Sequence, residues 1–474
     1  MSGTLGTERG FDLAVDRFLA AAAAARRRAE GGGRPVLACA AIQYPDLDPL
    51  TVFGLGAANG SRMLFLRPED DFGLAGIGTA SMFVCKGADR FVRADDAWRA
   101  IAGEAVIEGE GPRGPVALYG FAFEDGGGAW EGFPAGLLVV PRVAVLQTAD
   151  GTHLLLSALI HPGDRADAGV EATMVCLRRC GEGAEPAAAA SGAPLRVVDE
   201  FPAQADWKRA VAETAQAVRD GRLRKAVLAR GVRVAGGCLD PGAALRTLRR
   251  EYPACTTFAI GRGDRCFLGA SPERLVRVHD GDVHVAALAG SAPRGETEAL
   301  DRRFGDGLLA SGKDRIEHAL VVEALREALA GVATGIEAAD APRLLTVHNT
   351  HHLCTPIRGR LRERRSVLDL AGRLHPTPAV GGVPREAALA WIRRHEGWDR
   401  GWYAGPVGWT LGPDGDGDAA VAIRCALLEP GSARLFAGCG IVADSDPEQE
   451  FAESDWKLRP LLSALSGAAA SSRS

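Results

Sequence analysis

Apolar residues return at helical spacing over 203–220, where Trp207, Val211, Thr214 and Val218 follow one another at intervals of four, three and four. This predicts an amphipathic helix that Gly221 can terminate. The next ten residues, 225–234, read Lys-Ala-Val-Leu-Ala-Arg-Gly-Val-Arg-Val and predict a strand. Asp240 and Pro241 then suit the N-cap and first-turn positions of another helix. Strands are predicted at 256–260, 266–270, 274–279 and 283–289, with Asp280-Gly281-Asp282 as a hairpin turn. A long helix covers about 314–330. Near the end, 421–428 and 434–437 flank the Pro430-Gly431-Ser432 turn as a second hairpin. Ser445-Asp446-Pro447-Glu448 has a capping-box pattern that starts a final helix near 447.

The first half is patterned less regularly. An alanine-rich helix over 11–30 is closed by the glycines at 31–33, and short strands follow, among them 63–66, 116–123 and 136–140. The stretch 181–193 is low in complexity and reads as a surface loop or linker. Strands and helices alternate without a strict βαβ rhythm, which favours an α+β fold over a doubly wound sheet. The expected division is 1–195 as the N-terminal part of one α+β body and 196–474 as its catalytic region.

Composition narrows the function classes. The charge balance is 55 − 60 = −5, so there is no polyanion-binding bias and a nucleic-acid partner is not expected. The alanine run 20–25 sits between Asp12, Asp16 and Arg17 on one side and Arg26, Arg27 and Arg28 on the other. It is too short to span a bilayer, and its basic cluster lies on the wrong side for a signal peptide, so a soluble cytoplasmic protein is expected. The ten cysteines form no CxxC pair, which fits reduced thiols better than disulfides or a zinc site.

Several residues are candidates for chemistry. His348, His351 and His352 lack a carboxylate at ligand spacing, and Gly54-Leu-Gly56 and Gly261-Arg-Gly263 lack the third glycine of a dinucleotide fingerprint. Glu317 shares a helical face with Val321, Ala324, Leu325 and Ala328. A carboxylate on that apolar stripe needs a metal or an ion pair, unless it merely meets the helix dipole. Glu450, Glu453 and Lys457 share one face of the last helix, which taken alone is most often a solvated face with a Glu453–Lys457 pair. Gly438 and Gly440 follow a strand and can offer backbone N–H groups to a carboxylate, or simply form a tight turn.

Taken in order, the motifs resemble those of the chorismate-utilising enzymes. They are Lys225-Ala-Val-Leu-Ala-Arg230, Phe267-Leu-Gly-Ala-Ser271-Pro272-Glu273-Arg274-Leu275, Ala289-Gly290-Ser291-Ala-Pro-Arg294 and Asp314-Arg-Ile-Glu317-His318. They continue with His352-Leu-Cys-Thr355-Pro356, 374–382, 399–409 and Ile423-Arg424-Cys425, and close with 436–441 and Glu450-Phe-Ala-Glu453-Ser-Asp-Trp-Lys457. The match spans about 203–463, with weaker echoes at Phe121-Ala-Phe123 and Trp130-Glu-Gly-Phe-Pro134. The resemblance implies two packed antiparallel sheets between helical layers, as in anthranilate synthase component I and aminodeoxychorismate synthase.

Within that family, nitrogen-transferring members carry Gln where this chain has Lys225, and lysine there implies water as the nucleophile. Ala289 stands where some aminodeoxychorismate synthases place a nucleophilic lysine, and Gly290-Ser291 matches the isochorismate-forming pattern. The implied reaction is the reversible conversion of chorismate to isochorismate, feeding menaquinone or catecholate siderophore biosynthesis. Lys225 would activate water for attack at C2 while Glu273 protonates the departing C4 hydroxyl. Mg²⁺ would be held by Glu317 and Glu453, with Glu450 helping through the metal's waters. Arg424, Lys457 and the backbone of Gly438, Cys439 and Gly440 would hold carboxylates; Gly290, Ser291, His352, Ala379 and Tyr403 would border the ring. No glutaminase subunit is implied. A salicylate synthase, which goes on to eliminate pyruvate, is the rival reading.

Overall fold

The computed structural model describes residues 8–45, 47–56, 60–112, 114–126, 130–163, 168–181, 193–348 and 350–466. Most of the predicted 181–193 linker therefore lies outside the described residues. The strands form a 13-stranded and a 10-stranded sheet. Val36–Gln43 runs parallel to Val106–Gly109, and every other described pairing is antiparallel.

Side-chain alternation sorts the larger sheet's two faces. Along Val36–Gln43, Leu37, Cys39 and Ala41 join a core shared by both sheets, and Val36, Ala38, Ala40 and Ile42 join a second core. That second core is closed by the helices Glu8–Gly32, Pro241–Glu251 and Pro447–Ser466, through Phe18, Leu245 and Leu461 among others. The helices Arg90–Gly103, Gly312–Ala330 and Val367–Leu374 add Phe91, Val321 and Leu368 to the shared core. Strands from both halves of the chain build each sheet: Thr256–Arg262 pairs with Ser61–Arg67, and Pro406–Leu411 with Val116–Phe121.

Local signals act as their chemistry requires. Asp240 accepts from Ala243 N at 2.7 Å with Pro241 in the first turn. Asp280 and Gly281 both adopt left-handed φ, 48° and 82°, as a two-residue hairpin turn demands. Three predictions need correcting. The run 421–428 is not one strand: Asp416–Val421 belongs to the smaller sheet and Cys425–Glu429 to the larger. The predicted 434–437 strand extends over Ser432–Ile441, so Gly438, Cys439 and Gly440 are part of the strand and not a turn after it. The last helix is capped by Asp446, whose Oδ1 accepts from Glu448 N and Gln449 N, while Ser445 Oγ turns back to Val442 N.

All ten cysteines are free thiols. Among the described residues no helix is long and apolar enough to cross a membrane.

Candidate active site

The candidate site forms where the chain crosses between the sheets. Arg265–Ser271 ends in the larger sheet and Arg274–His279 begins in the smaller, so Ser271-Pro272-Glu273 is one crossing. Ala422-Ile423-Arg424 is the return crossing, and Arg424 takes a left-handed φ of 50° there. The two are laced together: Ser271 Oγ donates to Val421 O at 2.6 Å, Val421 N to Glu273 O at 3.0 Å and Ala270 N to Arg424 O at 3.1 Å. A non-glycine residue in this conformation is held by its surroundings, and here they aim a guanidinium into the pocket.

Three helices and strands bring the other charges. Lys225 opens the strand Lys225–Ala235, and its side chain is fully buried with Nζ 2.8 Å from Glu317 Oε1. Glu317 comes from Gly312–Ala330, which is pinned to the smaller sheet by His318 Nε2 and Thr355 Oγ1 at 2.8 Å. The last helix is docked on the 225–235 strand by the buried Arg230, whose Nε donates to Ser454 Oγ at 2.7 Å and whose guanidinium lies 4.1 Å from the Phe451 ring centre. This places Glu453 against Lys457 at 2.6 Å and Glu450 against Lys313 at 2.6 Å. Lys457 also donates to Gly438 O at 2.8 Å. Three carboxylates are thus each matched by one ammonium.

Burial tunes this cluster. Glu273 is pushed up to about 7 by desolvation, against the opposing pull of Lys225, Thr377, Arg424 and Lys457. Glu450 is raised by burial and by repulsion from Glu453, with Lys313 opposing. Asp314 is raised by burial and by Glu317 among others. His352 is held well below its ordinary range by burial, then by Arg424 and Lys457, so its ring is neutral; Nδ1 meets Ser291 Oγ at 2.9 Å, and Nε2 has no partner among the described residues.

Every residue to which the resemblance assigns a catalytic, substrate or metal role lines one pocket except Lys225 and Cys439. Lys225 lies beneath it, paired to Glu317. Cys439 points away into an apolar cluster with Trp207 and Leu228, and its thiol donates to Glu450 O at 3.3 Å. Val227, Asp314, Val380 and Phe436, which fall within the motifs without an assigned role, also line the pocket, as does Lys313, which falls outside them. Lys313 and Asp314 stand four and three residues before Glu317, so helical spacing alone puts them on its face. The histidine triplet separates: His351 pairs with Asp301 at 2.9 Å and His352 with Ser291.

The donor set suits a hard divalent cation. Glu317, Glu450 and Glu453 line the same pocket, Glu450 and Glu453 have carboxylate oxygens within 4.8 Å of each other, and Glu450 is 2% exposed, so carboxylates gather where water is scarce. A Cβ at Gly440 would collide with Glu317 Oε1 and come within 2.8 Å of Lys225 Cε, so only glycine leaves room for this pair. Cys439 lies near Glu450 and Glu453 as well, but burial raises its thiol well above the ordinary range and a neutral thiol is a poor ligand for magnesium.

Two sheets with buried carboxylates and cations where the chain passes between them form the setting of an enzyme site, and residues 21–466 match the family model described as chorismate binding enzyme. The chain belongs to this family. It is 40% identical over 436 residues to the salicylate biosynthesis isochorismate synthase of Pseudomonas aeruginosa, covering 91% of each chain. It is 36% identical over 446 residues to the isochorismate synthase MenF of Bacillus subtilis, covering 91% of this chain and 94% of that one. In fold it is similar to the menaquinone-specific isochorismate synthase MenF of Escherichia coli, with a TM-score of 0.75 and 24% identity over 96% of this chain and all of the other.

Proposed function

We propose that this protein is an isochorismate synthase that adds water at C2 of chorismate and expels the C4 hydroxyl. The observation that carries the reading is the presence of a buried lysine, Lys225, and a buried glutamate, Glu273, raised to about 7, at a pocket that Arg424 and Lys457 line. Lys225, acting as the neutral amine, takes a proton from the incoming water to become the ammonium, and Glu273 gives one to the leaving hydroxyl. Arg424 and Lys457 hold the substrate carboxylates, the former by a planar fork suited to bidentate contact. Neutral His352, fixed through Ser291, offers Nε2 to the ring substituents, and Tyr403 and Ala379 wall the ring. Glu317 and Glu453, with Glu450 assisting, would hold Mg²⁺, which would supply positive charge to offset a substrate carboxylate. The ten free thiols suit a reducing cytoplasm.

Chorismate and Mg²⁺ incubated with and without an ammonium salt test the reading. The expected product is persistent isochorismate in both, without a glutaminase. An aminated ring would sink the choice of nucleophile, and salicylate with pyruvate would make the protein a salicylate synthase.

The acid also predicts a pH profile. A carboxyl raised to about 7 can donate below that pH and is ionised above it, so kcat/KM for chorismate should descend as pH rises through about 7. A kcat/KM that holds level from about pH 6 to about pH 9 would remove Glu273 from this role.

A further inference from the structure

The strand that carries Lys225 has a gap along one edge. Gly382–Val383 pairs with it at Lys225 and Ala226, and Arg196–Phe201 pairs with it only from Gly231 onward. Val227 N still reaches Gly381 O at 2.8 Å, and two side chains complete what lies between. Glu396 Oε1 accepts from Ala229 N at 2.8 Å, and Arg400 Nη2 donates to Val227 O at 2.7 Å.

The two form a buried pair, each side chain 3% exposed. Arg400 Nε donates to Glu396 Oε2 at 2.8 Å and Nη2 donates to Oε1, while Nη1 donates to Val380 O at 2.9 Å. The guanidinium lies 4.3 Å from the Phe123 ring centre and 5.9 Å from that of Tyr403. Val227, Val380 and Tyr403 all line the pocket, on three separate stretches of chain. A buried ion pair is a weak source of stability compared with apolar packing, whereas a planar fork of five donors fixes several acceptors at once.

We propose that Arg400, held by Glu396, is a positioning residue for the reaction. It sets the Ala379–Val380 wall against the strand of Lys225, so that the substrate ring lies in register with the base. The carboxylate anchors come from elsewhere, Arg424 from the return crossing and Lys457 from the last helix, so binding is independent of this fork.

Misplacing reacting groups by about 1 Å can cost about 10²-fold in rate. Arg400→Lys keeps the charge and loses the fork; its kcat should fall about 10- to 10²-fold while chorismate Kd stays within about threefold of the parent and Mg²⁺ affinity is unchanged. Glu396→Gln keeps one acceptor oxygen and loses the other prong of the pair, so it should lower the melting temperature and reduce kcat by less than Arg400→Lys does. If Arg400→Lys does not fold, the neutral double variant Glu396→Gln/Arg400→Gln buries no lone charge and should show the same kcat loss. A folded Arg400→Lys or double variant with parental kcat overturns the inference whatever its melting temperature, as does a Kd that rises as far as kcat falls. The inference rests on the proposed activity and falls with it if the parent makes no isochorismate; with an active parent, these outcomes bear on Arg400 alone.

Discussion

Replacing Lys225 with alanine is expected to lower kcat for isochorismate formation by about 10²- to 10⁴-fold, and Glu273→Gln to do the same, because each removes one proton transfer from the transition state. The same two groups must exchange roles in the back reaction, so both variants should fail equally with isochorismate as substrate. Chorismate binding should persist, since Arg424 and Lys457 remain. Their stabilities should part company. Lys225→Ala leaves Glu317 buried without its counter-ion, a loss of about 3–5 kcal/mol. Glu273 has its folded-state value raised, so stability falls as pH climbs from its ordinary range to about 7 and the full cost, on the order of 3 kcal/mol, applies above that. Glu273→Gln removes this cost, so it should melt higher than the parent above pH 7 while being inactive. Assays in both directions, with chorismate affinity and melting temperature measured on the same preparations, decide the matter. Near-parental turnover by Lys225→Ala would place the base elsewhere.

What the sequence conveys and what it hides have physical causes. The site residues fall inside short contiguous motifs, so most were legible one segment at a time. The Lys225–Glu317 pair was not, because nothing local to a strand or a helix tells which cation will meet a carboxylate on an apolar stripe. The crossing at Arg424 was hidden for a different reason. Val421, Ala422, Cys425 and Leu427 are all buried, so apolar pattern continues straight through the point where the chain changes sheets. The acidic face of the last helix reads as solvated, yet Arg230 clamps it to the strand Lys225–Ala235 and Glu450 is buried. Helices such as Arg385–Glu396 and Glu298–Ala310 bury only Ala388, Ile392 and Glu396, or Gly305 and Leu308, too thin a stripe for periodicity to reveal.

Glu453→Ala and Glu317→Ala are expected to abolish saturable Mg²⁺ binding, and Glu450→Gln to weaken it about 10- to 100-fold, the range typical of groups that act on a metal through its outer shell. The reasoning starts from charge. Glu317, Glu450 and Glu453 line one pocket, and each carboxylate is paired with its own lysine, Lys225, Lys313 and Lys457. A divalent cation has to compete with those lysines, and it succeeds only if several carboxylates act together, so losing Glu317 or Glu453 removes a charge that the rest cannot replace. Glu450 differs because Lys313 remains beside it, partly exposed and free to swing aside, and glutamine keeps an oxygen acceptor for a metal-bound water. Calorimetric Mg²⁺ titration of chelator-stripped protein reads the affinities directly, and turnover with and without excess chelator reads the requirement. Glu453→Ala binding Mg²⁺ as tightly as the parent, or a parent fully active in excess chelator, would show that the carboxylates serve only as partners of the three lysines.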